Sequence, residues 1–323
     1  MKWIGLLFLI LLLTGCSTGK AVAGDTFIAD SGDINLYFCP QQQCEEHLLQ
    51  FLDSAQESIH CAFYDIGLPS VQKKIVEKEA KIEVEIVTDS DYIKKFNHPF
   101  VKKDSYGLMH NKFCIIDGQK VSTGSMNPTE NDAHKNNNNL LLINSPVIAQ
   151  SYEDEFQELW AGVFKKGEKI KNPKVNLSGI PVQTYFCPED HCEEQVRAEL
   201  KKAQKSIFFM IFSFTDQGIG NDLLIKNLDN LELRGVMETT QISEFSQFQR
   251  LKQNGIPVRK DGNSHNLHHK VFIIDGKTVI TGSFNPSANG DKHNDENVFI
   301  IENEEIATRF KEEFEKVYAE GTD

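Results

Sequence analysis

Basic residues are in short supply. Against 47 aspartates and glutamates, the 323 residues include only 34 lysines and arginines, a formal net charge of −13. A chain of this sign has no overall basic footprint of the kind that holds nucleic acid by neutralising phosphates, although net charge leaves open where a local basic site sits. Long apolar runs are also missing. The run over residues 4–13 is short of the roughly 20 residues that a permanent transmembrane helix needs, which excludes a polytopic membrane protein. Glycine and proline, at 21 and 10, show no excess that would suggest a collagen-like or low-complexity chain. The 40% of apolar and 25% of charged residues are the balance of a folded globular protein, and the length suits two ordinary domains or one duplicated one.

Lys2 precedes the apolar run, and Leu13-Thr14-Gly15-Cys16 ends it. An early cation, a short apolar core and small residues at its end read as an export signal. The four closing residues resemble the lipobox of bacterial lipoproteins, which implies cleavage before Cys16 and lipidation of its thiol. A plain secretory signal with a chance cysteine is the other reading. The expected organisation is a signal peptide over 1–15, a flexible tether over 16–31, a first domain over 32–172 and a second over 178–323. The expected location is the extracytoplasmic face of a cell membrane, held there through Cys16.

Four of the other six cysteines form two C-x4-C pairs, Cys39/Cys44 and Cys187/Cys192. In an exported chain disulfides are the default, and local pairing within each unit is the simplest of three connectivities. A four-cysteine zinc site is the alternative. Cys61 and Cys114 lie inside apolar runs and read as small buried core residues.

The chain is written twice. Tyr37-Phe-Cys-Pro-Gln-Gln-Gln-Cys-Glu-Glu46 returns 148 residues later as Tyr185-Phe-Cys-Pro-Glu-Asp-His-Cys-Glu-Glu194. The segment from His110 to Pro128 returns 158 residues later, with twelve of its 19 positions identical. The second unit therefore holds ten more residues between these blocks, within about Gly218 to Asn266. A unit of about 145 residues is duplicated, with a Lys/Gly/Pro-rich seam near 165–181. Within one unit, helices are expected at 45–55, 69–80 and 147–161, and strands at 58–64, 82–88, 113–116, 121–124 and 140–143. An Asp-Gly turn joins two of those strands. Helices mixed with two-sided apolar strands indicate an α/β fold, a sheet covered by helices.

Each unit carries H-x-K-x4-D-x6-G-S-x-N: His110, Lys112, Asp117, Gly124, Ser125 and Asn127, then His268, Lys270, Asp275, Gly282, Ser283 and Asn285. On a strand, His-x-Lys places both side chains on one face. A neutral imidazole is a nucleophile or base near pH 7, an imidazolium is an acid, and the neighbouring ammonium supplies fixed positive charge. Gly-Ser-x-Asn offers a tight turn, a hydroxyl and an amide. If the halves pack about a pseudo-twofold axis, two such sets converge on one site that suits a phosphodiester. One histidine attacks phosphorus, the other protonates the leaving oxygen, and the lysines, serines and asparagines hold the non-bridging oxygens. Neither a metal nor another cofactor is needed.

These two motifs resemble the HKD motif of the phospholipase D superfamily at every defining position. The resemblance runs from about residue 33 to 320. It implies two tandem phospholipase D-like α/β/α sandwich domains related by a pseudo-twofold axis, a covalent phosphohistidine intermediate, and one active site between the halves of a monomer. It also implies supporting roles for Asp117 and Asp275. Many superfamily copies carry an acidic residue one position before the asparagine that follows the motif by twelve, where it braces a histidine. The second unit has it as Glu296-Asn297; the first has Asn138-Asn139. We group Glu296 with Ser125, Asn127, Ser283 and Asn285 on the substrate side of the site. If each brace serves its own half, His268 is biased toward the acid role and His110 toward the nucleophile, because a carboxylate favours the imidazolium; a cross-half pairing reverses this. By composition alone, Asn136 to Asn139 read as a solvated loop. The substrate is expected to be a phospholipid at the membrane, with nucleic acid as the alternative.

Overall fold

The computed structural model describes residues 26–105 and 107–323. The expected signal peptide, Cys16 and most of the tether lie outside the described residues. Among the described residues no helix is long and apolar enough to cross a membrane.

The first half runs β1 (Ile28–Asp30), β2 (Asp33–Cys39), α1 (Cys44–Asp53), β3 (Ser58–Phe63), α2 (Pro69–Glu79) and β4 (Glu83–Thr88). It continues through β5 (Val101–Lys103), β6 (Leu108–Met109), β7 (Lys112–Ile116), β8 (Lys120–Gly124), α3 (Glu130–His134), β9 (Asn138–Asn144) and α4 (Pro146–Trp160). The second half adds β10 (Lys174–Leu177), β11 (Ile180–Cys187), α5 (Cys192–Lys202), β12 (Ser206–Ile211), α6 (Gln217–Leu228) and β13 (Glu232–Met237). It closes with α7 (Gln247–Gln253), β14 (Val258–Lys260), β15 (Lys270–Ile274), β16 (Thr278–Gly282), α8 (Ala288–Lys292), β17 (Asn294–Glu302) and α9 (Glu304–Glu320).

The first sheet is ordered β2-β9-β8-β7-β3-β4-β5, and β11-β17-β16-β15-β12-β13-β14 repeats that order in the second. The continuous apolar runs become central strands such as β7 and β15, buried along their whole length, as expected of strands covered on both faces. Helices α1 and α2 cover the outer face of the first sheet through Leu48, Phe51, Val71 and Ile75. Helices α5 and α6 cover that of the second through Val196, Leu200, Ile219 and Leu223. Helices α4 and α9 lie inside. Tyr152 and Phe156 of α4, Phe310 and Phe314 of α9, and Phe113, Phe186 and Phe208 from the two sheets form one shared core. Each such ring contributes roughly 1.5–3 kcal/mol by burial. The halves are thus two α/β/α layers joined by a common hydrophobic centre.

Two boundaries differ from those expected, and the ten extra residues fall within the expected range. The tether expected over 16–31 gives way to β1, which pairs in parallel with β10; a three-residue strand carries too little periodicity to be read. Strand β10 begins at Lys174, ahead of 178, inside the segment read as a seam. The ten extra residues resolve mainly into α7 and the turn before it: corresponding strands are 149 apart at β4 and β13 but 157 apart at β5 and β14.

The cysteines pair as Cys39–Cys44 and Cys187–Cys192, which leaves none of these four thiolates for zinc. Cys61 and Cys114, read as free core cysteines, form a third disulfide. They are fully buried as expected, but the antiparallel register sets them directly opposite each other on β3 and β7, with Cα atoms 4.0 Å apart.

Candidate active site between the two halves

The motif histidines precede β7 and β15, and each is tied to the other half through its own backbone. His110 N–H donates to Asp295 O and His268 N–H donates to Asn137 O, both at 2.9 Å. The short strand β6 pairs with the start of β17 in the same way. The side chains then cross over. His110 Nδ1 lies 2.8 and 2.9 Å from the two carboxylate oxygens of Glu296, in the other half. His268 Nδ1 lies 3.0 Å from Asn138 Oδ1, also across the interface. Asn138 Nδ2 donates to Asp132 O at 3.0 Å, which turns its carbonyl oxygen toward the ring. Both partners are acceptors, so both histidines carry hydrogen on Nδ1 and keep Nε2 for chemistry.

Of the two pairings left open, the structure has the cross-half one, and on the braces alone that would bias His110 toward the acid role. Glu296 is fully buried on His110 and is a positioning residue, where we had expected substrate contact. Ser125 and Ser283 are corrected likewise. The Ser125 hydroxyl accepts from Asn139 N–H and that of Ser283 from Asn297 N–H, at 3.0 and 2.8 Å, so both latch onto the brace strands and are fully buried. The preceding glycines make this latch possible. Gly124 and Gly282 have φ of +128° and +132°, and a Cβ at either would meet a backbone oxygen, Asn139 O at 2.5 Å or Asn297 O at 2.4 Å. Asp117 and Asp275 stand at the far ends of β7 and β15. Each carboxylate accepts three consecutive backbone N–H groups, 56–58 and 204–206, and so anchors the neighbouring strand. Burial acts to raise Asp117, but those N–H donors hold it below the usual range. The supporting role is structural, about five residues of strand from the chemistry.

Lys112 and Lys270 are where the motif places them. Lys112 Nζ donates to His110 O at 2.7 Å and Lys270 Nζ to His268 O at 2.8 Å. Burial lowers Lys112 to about 8, and burial followed by Lys112 lowers Lys270 well below its ordinary value. Burial, then Lys112, Lys270 and His268, lowers His110 well below 6.5. The cross-half bonds of both histidines bring the two motif sets to one interface, where each of these groups acts on the others. Among the described residues Asn127 Oδ1 and Asn285 Oδ1, both acceptors, are buried without a hydrogen-bond partner, while the amide nitrogen of Asn127, the donor expected on a non-bridging oxygen, is bound to Asp132 Oδ2 at 2.6 Å.

Residues outside the motif also bear on the site. Tyr64 and Phe212, which the repeat places at equivalent strand ends and which read as packing, stand edge-on against His110 and His268, with centroids 4.8 and 4.9 Å apart. The Asn136 to Asn139 run is buried and enters β9, in contrast to the solvated loop expected. Asn139 Nδ2 donates to His269 Nδ1 at 3.0 Å, and Asn297 Nδ2 donates to Thr123 Oγ1 and Tyr152 Oη at 2.8 and 2.9 Å. Asp132, outside both motifs, lies 3.3 Å from His268 Nδ1.

The family model described as the cardiolipin synthase, phospholipase D-like domain matches residues 48–160 and 196–318, one stretch in each half. A phospholipase D of Rickettsia conorii is 34% identical over 144 residues, 44% of this chain and 72% of its own length. The mitochondrial cardiolipin hydrolase of Xenopus laevis is 28% identical over 144 residues, 43% of this chain and 69% of its own. Among solved structures, the phosphatidylserine synthase of Haemophilus influenzae superposes with a TM-score of 0.64 at 11% identity, covering 88% of this chain and 86% of its own, a likeness of fold that includes both halves.

Proposed function

The chain belongs to the phospholipase D superfamily, and from that premise we propose that it hydrolyses phospholipids at a membrane surface through a phosphohistidine intermediate, without a metal ion. It is a phosphodiesterase of that superfamily; the lipid, the intermediate and the membrane are our reading. The observation that carries it is the pair of buried histidines, each anchored at Nδ1 across the interface and free at Nε2, with Lys112 and Lys270 beside them.

The reaction takes two steps. His110 Nε2 attacks phosphorus, a P–N bond forms, and the P–O bond to the leaving alcohol breaks as that oxygen takes the proton from His268 Nε2. Water then attacks phosphorus and gives a proton to His268 Nε2, while the P–N electron pair returns to His110. Lys112 and Lys270 neutralise the charge that gathers on the non-bridging oxygens. The motif supplies its positive charge through two lysines, which supports the metal-independent reading. One chain carries both motif sets, which supports action as a monomer. The names of the Rickettsia and Xenopus relatives support a lipid substrate. So does Phe245, 74% exposed just before α7, in the connection that follows β13 from the end of the sheet where Phe212 meets His268. Three disulfides support an extracytoplasmic location, and the Cys16 lipid is proposed as the anchor.

The test uses the full chain in excess EDTA, with phosphatidylcholine vesicles, cardiolipin vesicles, and single- and double-stranded DNA as substrates and His110→Ala as control. Headgroup or phosphatidic acid release that vanishes in the variant is expected. DNA cleavage that vanishes in the variant would move the substrate to nucleic acid. Activity that requires added metal would overturn the mechanism.

A further inference from the structure

The two histidines are braced unequally. His110 has the carboxylate of Glu296, whereas His268 has, at the corresponding place, only the neutral amide of Asn138. A general acid needs its imidazolium favoured, and an amide does not do that. The short helix α3 supplies what is missing. Asp132 Oδ2 lies 3.3 Å from His268 Nδ1, and among the described residues it is the one carboxylate within ion-pair distance of that ring. The position 158 residues later is Gly290, so the second unit has no carboxylate there and has Glu296 instead. Each histidine thus has one acidic partner, drawn from different positions of the repeat.

We infer that Asp132 is the positioning carboxylate that holds His268 in its acid form, in place of the brace that Asn138 does not provide. The inference rests on the phosphodiester reaction proposed above.

Asp132 is built to remain charged. It is buried, and its Oδ2 accepts from Asn127 N–H at 2.9 Å and Asn127 Nδ2 at 2.6 Å. Its Oδ1 accepts from Asn136 Nδ2 at 2.6 Å. Thr129 caps the helix by accepting Asp132 N–H, which fixes the backbone. Burial acts to raise this carboxyl, but His268 and the Asn127 and Asn136 donors bring it well below its ordinary value. Glu296 differs, because burial pushes it up to about 7. His110 therefore faces a carboxyl that gives up its proton reluctantly, and His268 faces one that is fully ionised. The remaining charged groups around His268 are Lys270 on its own strand, Lys112 on β7 and His110, all of which disfavour the imidazolium; Glu238 is bound to the neighbouring Leu267 N–H. Asp132 alone opposes those cations at the ring. Burial and the two lysines still hold His268 below its ordinary value, but His110 is lowered well below its own, and that difference makes His268 the acid and His110 the nucleophile. These are the roles that same-half bracing would give, reached by a different route.

The test compares wild type with Asp132→Asn on two diesters, one with an alkyl alcohol leaving group and one with p-nitrophenol, which departs without needing a proton. Loss of the acid should cost about 10²–10³-fold on the alkyl ester and less than about tenfold on the aryl ester. Activity requires protonated His268, so it falls as pH rises through that pKa, and this alkaline limb should move to lower pH in Asp132→Asn. Asp132→Asn combined with Asn138→Glu should move it back. Equal losses on both esters, an unmoved limb or failed rescue would reduce Asp132 to a structural group. A ¹⁵N NMR titration of His268 gives the answer independently of turnover: its pKa should drop in Asp132→Asn, and an unchanged value overturns the inference. Wild-type inactivity on every diester would count against the proposed reaction, while the titration would still decide the role of Asp132.

Discussion

Glu296 Oε2 lies 2.8 Å from Nδ1 of His110, although the two residues stand 186 positions apart, one in each half. The contact makes the active site a property of the interface. Once Glu296 is ionised, the contact also fixes the tautomer of His110, because both carboxylate oxygens then accept at Nδ1 and leave the lone pair on Nε2. The phosphoryl group is expected on His110. In His268→Ala, given an aryl diester, attack proceeds but water lacks its base, so the intermediate should accumulate. Rapid quenching above neutral pH and peptide mass spectrometry should find the label on the peptide that contains His110. A label on the His268 peptide of the wild type would reverse the two roles.

Gly124 and Gly282 carry a stability prediction. Each combines φ near +130° with a backbone oxygen 2.4–2.5 Å from where a Cβ would sit. Gly124→Ala must adopt a disfavoured conformation and push β9 away, at a cost of about 2 kcal/mol or more. The same strand carries Asn138, so kcat should fall beyond what the loss of folded protein explains. Denaturant unfolding alongside activity per folded molecule checks both; a variant as stable as wild type would show that the strand gives way freely.

The Cys61–Cys114 disulfide spans a sequence separation of 53, against 5 for each of the other two. Loop-closure entropy assigns it an upper limit of about 4 kcal/mol, and about 2 kcal/mol to either short one. Under oxidising conditions, the Cys61→Ala/Cys114→Ala pair should lower the denaturation midpoint more than Cys39→Ala/Cys44→Ala. The opposite order would show that folding depends instead on the short loop leading into α1.

How much of this was legible beforehand follows the physics of each feature. The motif could be read because it is written twice, and His110, Lys112, His268 and Lys270 meet as the duplication implies. The helices at α2 and α4 carried clear periodicity. What depends on which strand lies beside which was not legible. Cys61 and Cys114 read as core because burial shows in an apolar run and cross-strand register does not. Glu296 braces the opposite half because β17 begins beside β6, a pairing no local pattern encodes. Asp132 left one trace, the glycine opposite it at a spacing of 158, which acquires meaning only once His268 is known to face α3.

Glu155 and Glu189 set a pH dependence of stability. Burial, then each other's proximity among further acids, raises Glu155 well above its ordinary value, and burial raises Glu189 to about 7. A carboxyl whose folded pKa lies above its unfolded one stabilises the fold fully below the unfolded pKa, near 4.3, and loses that contribution as pH climbs through the folded value. Glu189→Gln should therefore gain on wild type as pH rises from 5 to 8, by about 2 °C in Tm for a change near 1 kcal/mol. A Tm difference that stays flat across that range would show that the two carboxyls are not protonated in the fold.

Phe245 tests the membrane reading directly. The ring is 74% exposed and lies just before α7, among the extra residues of the second unit, which follow β13 at the end of the second sheet where His268 stands. Partial burial of one such ring in a lipid interface yields about 1.4 kcal/mol, or tenfold in affinity. Phe245→Ala should therefore weaken sedimentation with phosphatidylcholine or cardiolipin vesicles about tenfold and lower turnover on vesicles to match. Turnover of a short, monomerically dispersed diester should be unchanged, since the ring is not among the groups that touch His110 or His268. Equal loss on both substrates would place Phe245 in the substrate pocket itself, and no loss on vesicles would remove this turn from the interface.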